Sequence, residues 1–556
     1  MAGLDGAGRT PAPLPCRMRL GPGRVHGYNR EFCRDMRGMT FAAFLLRKRA
    51  RLAGIALAVV LCLGWIGCGE TYRPVATPII PTPPNPGFSH LAVVLSGNGT
   101  NNPGAATTID VSGDTAISQA TVGLAPSSAF LLSNSRIYVT NSLDDTVSVF
   151  SPTTPTPVIT ISLPQGSAPV FATTTDTSSV YVANAGNNTV SVLSISSSVV
   201  SNTIPVGVKP VALAELPYGQ EVYVANAGGG GAAGSVQSIN VLDATANPPI
   251  AACASAAWSS PVAVVARSDN ARVYVLDQGS GYVTAIDTSS GTTTDTVVGC
   301  ASVGVGASFM RYDPALDYLY VTNPVGQSLS VLDASGESFS NQSILGVISF
   351  AAGGAACPRG CSPLSVAVVP PYGSQAYVAS AAVSGGMVAS SVTVIETATL
   401  TLKTTIPLAT VPQSCQPGTP FELYTAASAD GTRVYVGNCD AGNTAIINTA
   451  TAAVVTSLPA PLSAAQPASL YISAATQNGS NTTYSYTLLS GPALRVGMTV
   501  VVENMGNSVN DGTFIVAAVA AGTFTVQNTL GVSAASQNGS GSGLTPQQPV
   551  FVVAGP

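Results

Sequence analysis

Most hydrolytic, proton-shuttle and redox-metal chemistry relies on histidine, and this 556-residue chain has two, of which only His90 lies beyond Cys68. Ser-His-Asp triads and histidine-rich zinc, copper or haem sites in their ordinary forms are therefore not expected. His90 lies at the start of an apolar run and reads as a packing or surface residue. The glycines from Gly228 to Gly234 are not followed by Gly-Lys-Ser/Thr and open no helical pattern, so they read as a loop rather than a phosphate cradle. No catalytic residue, metal site or cofactor is assigned from the sequence.

Two residue sets remain. Asp110, Asp243, Asp287, Asp333, Glu396 and Asn448 each close an apolar strand pattern at a recurring place. A ring of such oxygens is one way to hold calcium. Ser151 and Ser194 stand at the same place in other copies, and Asp, Asn and Ser share the ability to bond the backbone two residues on, which favours turn capping. The second set is six cysteines after Cys68: Cys253, Cys300, Cys357, Cys361, Cys415 and Cys439. An even number in an exported chain favours disulfides. Proximity in the repeats suggests Cys253 with Cys300, Cys357 with Cys361, and Cys415 with Cys439. A redox-active Cys357–Cys361 pair is the sharper alternative, but Cys-x-x-Cys spacing and a helix are lacking.

Export is written at the other end. From Met39 the order is a basic stretch (Arg47, Lys48, Arg49, Arg51), an apolar run Leu52 to Gly67, then Cys68. That is the grammar of a secretory signal. Ile66, Gly67 and Cys68 resemble a bacterial lipobox, which implies lipidation of Cys68 as the mature N-terminus; Trp65 departs from the pattern, and an uncleaved membrane anchor is the alternative. Residues 1–38 read as a misassigned start or unstructured extension, 39–67 as the signal peptide, and 68–88, with six prolines, as an extended spacer. The implied location is the periplasmic side or surface of a bacterial membrane. After export the chain keeps 10 basic and 23 acidic residues, a net −13, which disfavours nucleic acid as a partner.

The elements that must position these groups are written in the composition, which is 46% hydrophobic and 8% charged, with 56 glycines and 40 prolines. Such a mixture favours many short strands and tight turns over helices and excludes a disordered chain. A phrase recurs: Ile137-Tyr138-Val139-Thr140-Asn141, Val180-Tyr181-Val182-Ala183-Asn184 and Val222-Tyr223-Val224-Ala225-Asn226. Weaker copies centre on Tyr274, Tyr320, Tyr377 and Tyr435, at tyrosine intervals of 43, 42, 51, 46, 57 and 58 residues. The shortest intervals match one four-stranded propeller blade.

Residues 89–458 thus resemble the YVTN-type β-propeller family. The resemblance implies an all-β propeller of four-stranded blades, eight by count with seven possible, the eighth being a degenerate copy at His90 to Gly97 with Val93 or Val94 in the tyrosine slot. Residues 459–548 lose the repeat. There Gly512-Thr513-Phe514-Ile515-Val516 and Gly522-Thr523-Phe524-Thr525-Val526 predict a hairpin in a small β-barrel-like module. Residues 549–556 read as a strand that closes the propeller.

Two function classes are consistent with these features. The first is a non-enzymatic envelope lipoprotein whose propeller binds an envelope protein or polysaccharide, or serves as a scaffold. Its interaction surface falls on the insertions Ala334 to Pro363, Ala381 to Ser391 and Thr410 to Pro420, where the repeat is longest. The alternative, drawn from propeller resemblance, is a lactonase-like or quinoprotein-like enzyme with an unrecognised active site.

Overall fold

The computed structural model describes residues 90–555, apart from residues 133–134, 175–177, 217–220, 254–256, 289–294, 371–372, 416–417, 419–421, 491–492, 495–497 and 536. The signal segment, Cys68 and the proline-rich spacer lie outside the described residues. Eight four-stranded antiparallel sheets and one closed six-stranded barrel account for the strands. The sheets are the blades of a propeller, whose first strands neighbour one another in a closed ring.

Blades 2 to 8 are consecutive along the chain. Their inner strands are Pro126–Leu132, Pro169–Thr173, Pro210–Glu215, Pro261–Ala266, Phe309–Asp313, Ser362–Val368 and Leu423–Ala427. Blade 1 is composite: Leu91–Gly97, Pro103–Asp110 and Thr115–Leu124 are joined on the inside by Gln548–Ala554, the last strand of the chain. That strand pairs antiparallel with Leu91–Gly97 from Ala92↔Ala554 to Gly97↔Gln548. It also neighbours the inner strands of blades 8 and 2, so the last strand seals the ring.

The repeated phrase forms the second strand of each blade, and strand geometry explains its composition. Side chains alternate between the two faces of a sheet, and in a propeller both faces are covered by neighbouring blades. In blade 2, Ile137 and Val139 pack with Leu91 and Val93 of blade 1, whereas Tyr138 packs with Val180 and Val182 of blade 3. Tyr181 likewise meets Val222 and Val224, and Tyr435 meets Ala92 and Val94 of blade 1. Each tyrosine therefore faces the next blade, and full burial of such a ring contributes about 1.5–3 kcal/mol. Val93 is paired with Thr108 as Tyr274 is with Ala285, in each case two residues before the aspartate that ends the third strand, and so occupies the tyrosine slot of blade 1.

The terminal asparagine of the phrase is a clamp inside its own blade. Asn141 Nδ2 donates to Thr146 Oγ1 and Ser148 Oγ, both at 3.0 Å, and Asn184 Nδ2 donates to Thr189 Oγ1 at 2.9 Å and Ser191 Oγ at 2.8 Å. Adjacent blades are also stitched by polar contacts. Tyr274 Oη donates to Ala334 O at 2.7 Å, and Arg433 Nε of blade 8 meets Asp114 Oδ1 of blade 1 at 2.8 Å.

The barrel lies between blade 8 and the closing strand. It consists of Leu462–Asn478, Asn481–Ser490, Thr499–Glu503, Gly512–Ala520, Thr523–Gln527 and Gly539–Pro546. The second strand pairs with Thr523–Gln527, which pairs with Gly512–Ala520 in the expected hairpin, and Gly539–Pro546 closes the circle against Leu462–Asn478. Its core, including Leu470, Ile472, Tyr484, Met498, Val500 and Phe524, comes entirely from its own strands and turns.

Candidate functional site

An active site on the propeller axis would need functional groups on the inner strands. Those eight strands carry three charged residues, Glu215, Arg311 and Asp313. Glu215 and Asp313 end their strands, and Asp313 Oδ1 accepts from the Ala315 N–H at 2.9 Å in a turn. Beside the axis stand aromatic rings instead. Tyr424 of blade 8 lies 5.6 Å from Phe309 of blade 6 and 4.4 Å from Phe551 of blade 1, centroid to centroid. Contact between blades 6 and 8, which are not neighbours, places these rings on the axial side of blade 7.

The recurring carboxylates lie at the lower face, where third strands turn into outer strands. They act locally: Asp110 Oδ1 accepts from the Ser112 N–H at 3.1 Å, Asp333 Oδ1 from the Ser335 N–H at 2.8 Å, and Asn448 Oδ1 from the Ala450 N–H at 2.9 Å. Glu396 instead pairs with Lys403 at 2.9 Å. Asp243 is a correction. The equivalent of Asp287 in blade 4 is Asn240, because Glu221 pairs with Asn240 as Arg272 pairs with Asp287; Asp243 lies three residues later, in the turn. Among the described residues no three His, Cys, Asp or Glu side chains are grouped to hold a metal.

The upper face carries the turns from second to third strands and the connections between blades. Of the first insertion, Ala334 to Ser343 lies at the lower face, where the Ala334 carbonyl accepts from Tyr274 Oη. Cys357 to Ser362 of that insertion, the hairpin Ala381 to Ser391 and Thr410 of the third meet on the upper face at blade 7. Its strands Gln375–Ser384 and Met387–Glu396 extend beyond the sheet as a hairpin, turned at Gly385 and Gly386, both at positive φ, and Thr401–Pro412 pairs alongside up to Pro412↔Met387. The turn Cys357 to Cys361 and Gly418 complete two adjoining clefts of about 480 and 430 Å³. Arg359, Cys361 and Ala382 line both. The larger cleft is mainly aliphatic, with Pro358, Ala389, Pro407 and Leu408; the smaller is polar, with Gln327, Ser362 and Glu422.

Glu422 is 1% exposed. Its Oε2 accepts from the Gly418 N–H at 2.7 Å, while Oε1 is buried without a hydrogen-bond partner. Asp440, in the upper turn of blade 8, is built alike: Oδ1 accepts from the Ser414 and Cys415 N–H groups at 2.6 and 2.8 Å, and Oδ2 is buried and unpartnered. Burial, with a smaller contribution from the Asp440 charge, pushes the Glu422 carboxyl up to about 7 against the opposing Gly418 bond. Three disulfides are present, at Cα separations of 6.1 Å for Cys253–Cys300, 5.9 Å for Cys357–Cys361 and 6.1 Å for Cys415–Cys439. The last two brace the turns that carry Arg359 and the Asp440 donors.

Sequence reasoning locates these loops but misses Glu422 and Asp440. One signal is present: Glu422 directly precedes its inner strand, where Ala125, Ala168, Lys209 and Ser260 stand in blades 2 to 5. A second acidic pair lies on the lower face. Glu221 Oε2 accepts from Tyr223 Oη at 2.9 Å, and burial followed by the Glu221 charge raises Asp295 to about 6.

A raised carboxyl makes stability depend on pH in a definite sense. The folded chain binds the Glu422 proton more tightly than the unfolded one, so this contribution weakens as pH rises from 4.5 through about 7. Glu422→Gln is expected to remove that fall and to exceed the parent at pH 8 by roughly 1–3 kcal/mol. Urea denaturation at pH 5 and pH 8 measures it; equal pH slopes in parent and variant would contradict the assignment.

No family model and no curated protein matches the chain. Solved structures do. Apo AztD from Citrobacter koseri is similar at 11% identity and a TM-score of 0.47, over 66% of this chain and 95% of that one. Virginiamycin B lyase from Staphylococcus aureus gives 12%, 0.40, and coverage of 56% and 90%. Hydrazine synthase from Kuenenia stuttgartiensis gives 18%, 0.39, and coverage of 53% and 88%. No residue role transfers at such identities.

Proposed function

We propose that this chain is a non-enzymatic binding module of the bacterial cell envelope, anchored through lipid on Cys68, whose propeller presents the blade 7 clefts to an envelope partner. One observation carries the reading: insertions separated in sequence meet at adjoining clefts whose polar end holds a buried carboxylate oxygen with no partner. Rigid repeats with variable loops are suited to recognition. Aromatic rings rather than paired acids beside the axis support a binding role over a lactonase-like or quinoprotein-like one.

The test is cross-linking in intact envelopes, with residues 382–389 replaced by Asn-Gly to shorten the hairpin at the Ala381↔Ser390 pair. Expected results are loss of a discrete cross-linked partner with the melting midpoint nearly unchanged, and loss of lipid labelling on Cys68→Ser. Hydrolytic or redox activity that survives purification and disappears on substituting an inner-strand carboxylate would overturn the proposal.

A further inference from the structure

We infer that the outer face of the barrel binds a neutral polysaccharide, one sugar ring stacking on Tyr471 while its hydroxyls bond to Ser540, Asn504 and Glu503. This surface is separate from the blade 7 clefts and does not rest on them.

The face is made by an alternation in the last barrel strand. In Gly539-Ser540-Gly541-Ser542-Gly543 the glycines point inward: a Cβ at Gly541 would lie 3.0 Å from Ile472 Cδ1, and one at Gly543 2.7 Å from Leu494 Cδ2. The core therefore fills the barrel up to the backbone of this strand. The serines point the other way and leave a flat outer floor of short hydroxyl side chains. Two rows cross that floor. Tyr471, Ser540 and Glu503 are paired across three neighbouring strands, and so are Ser469, Ser542 and Val501. With strands about 4.8 Å apart and alternate residues about 7 Å apart along each, the two rows span about 10 by 7 Å, room for one pyranose and its hydroxyls.

Tyr471 is held as a platform on this floor. Tyr484 and Phe524 lie in the barrel core and Tyr486 and Phe514 pack against it, whereas Tyr471 is 38% exposed on the outside. Its backbone pairs with Ser540, but its hydroxyl lies 2.9 Å from Asn538 Oδ1 and 3.2 Å from Gln537 O, both acceptors farther along the chain of that strand. The ring thus leans along the surface and is fixed at both ends, so stacking on it sacrifices little side-chain freedom. Beside it, Asn504 Nδ2 donates to Ser540 Oγ at 2.9 Å, and the exposed Glu503 carboxylate offers two acceptors. A pyranose carries an apolar C–H face and a rim of hydroxyls. The first suits the negative face of an aromatic ring, and the second suits the amide, hydroxyl and carboxylate around it.

Other ligands fit this face less well. The barrel is closed, so an extended peptide finds no strand edge to join. A floor of Ser540 and Ser542 gives no apolar pocket to anchor a protein side chain. Glu503 repels phosphate and carboxylate, which disfavours nucleic acids and acidic polysaccharides. The barrel core is its own, and its entry and exit meet where the Gln547 N–H donates to Pro461 O, so the module adds a surface to the propeller rather than support.

The test is calorimetric titration of the full chain with chitohexaose, cellohexaose and maltohexaose. At least one is expected to bind with a Kd below about 1 mM. Tyr471→Ala should weaken that binding at least tenfold, and so should Ser540→Gln, which raises the floor. Tyr471→Phe keeps the ring but frees its far end and should weaken it about threefold. Both larger effects are expected with the melting midpoint within about 2 °C of the parent, because the two side chains lie on the surface. Binding of none of the three sugars at about 10 mM overturns the inference, as does binding that Tyr471→Ala and Ser540→Gln leave within about twofold. Sugar binding that is lost on trimming the blade 7 hairpin and survives Tyr471→Ala overturns it too, and assigns the sugar to the clefts. Loss of the envelope cross-link on trimming, with sugar binding unchanged, is the result expected when the two surfaces act separately.

Discussion

Removing residues 548–556 is expected to abolish the cooperative unfolding of the propeller or to lower its midpoint by more than about 15 °C, whereas excising the whole barrel is not. Gln548–Ala554 buries Phe551 and Val552, at 7% and 1% exposure, and supplies the inner ladder of blade 1. Together with half-buried Val550 and Val553 these side chains contribute roughly 5–8 kcal/mol, comparable with the net stability of an ordinary domain. Deletion also leaves Leu91–Gly97 as an exposed inner edge and separates blades 8 and 2 from their shared neighbour. The barrel contrasts with this. The Gln547 N–H donates to Pro461 O at 2.8 Å, so its entry and exit already touch, and its core is its own. Joining Pro461 to Gln547 through two glycines should move the propeller midpoint by less than about 3 °C in calorimetry. A fragile barrel deletion together with a tolerant strand deletion would refute this account of closure.

The parts of this molecule that the sequence announces are those in which a physical demand repeats. Tyr138, Tyr181, Tyr223, Tyr274, Tyr320, Tyr377 and Tyr435 recur because seven blades must each fill the same gap toward the next. Blade 1 is legible only through register, since Val93 fills the slot without the ring. The barrel hairpin is visible because its strands are neighbours in the chain, but closure is not: Ile472 pairs with Gly539 across dozens of intervening residues with no shared pattern. Asp243 misleads because its strand stops at Asn240, and the added turn supplies a second acceptor, to which the Thr245 N–H donates. Glu422 and Asp440 are hidden for a different reason. They belong to different turns of one blade, and only the ladder from Leu423↔Asn438 onward brings those turns together.

The same hidden geometry sets the last expectation. Phe171, Phe309, Tyr424 and Phe551 pair with Ala183, Thr322, Gly437 and Leu95, equivalent positions in their second strands, so four inner strands present a ring at one level beside the axis, and Phe309, Tyr424 and Phe551 form a contacting trio. The corresponding positions are Ser128 in blade 2 and Ser365 in blade 7, paired with Thr140 and Ala379, which leaves the space that rings from flanking blades fill. Tyr424 is the middle member, in tilted contact with Phe551 and edge contact with Phe309, and burial pushes its hydroxyl up to about 12. Tyr424→Ala should therefore cost about 3–5 kcal/mol in urea denaturation, the sum of lost burial and a cavity that rigid blades cannot collapse. Tyr424→Phe keeps the ring and should cost about 1 kcal/mol or less. Because the three rings share contacts, Tyr424→Ala combined with Phe551→Ala should cost less than the two single losses added together. Strict additivity, or a Tyr424→Ala loss below about 1 kcal/mol, would mean that the blades close without the rings and that the axis is open to solutes at this level.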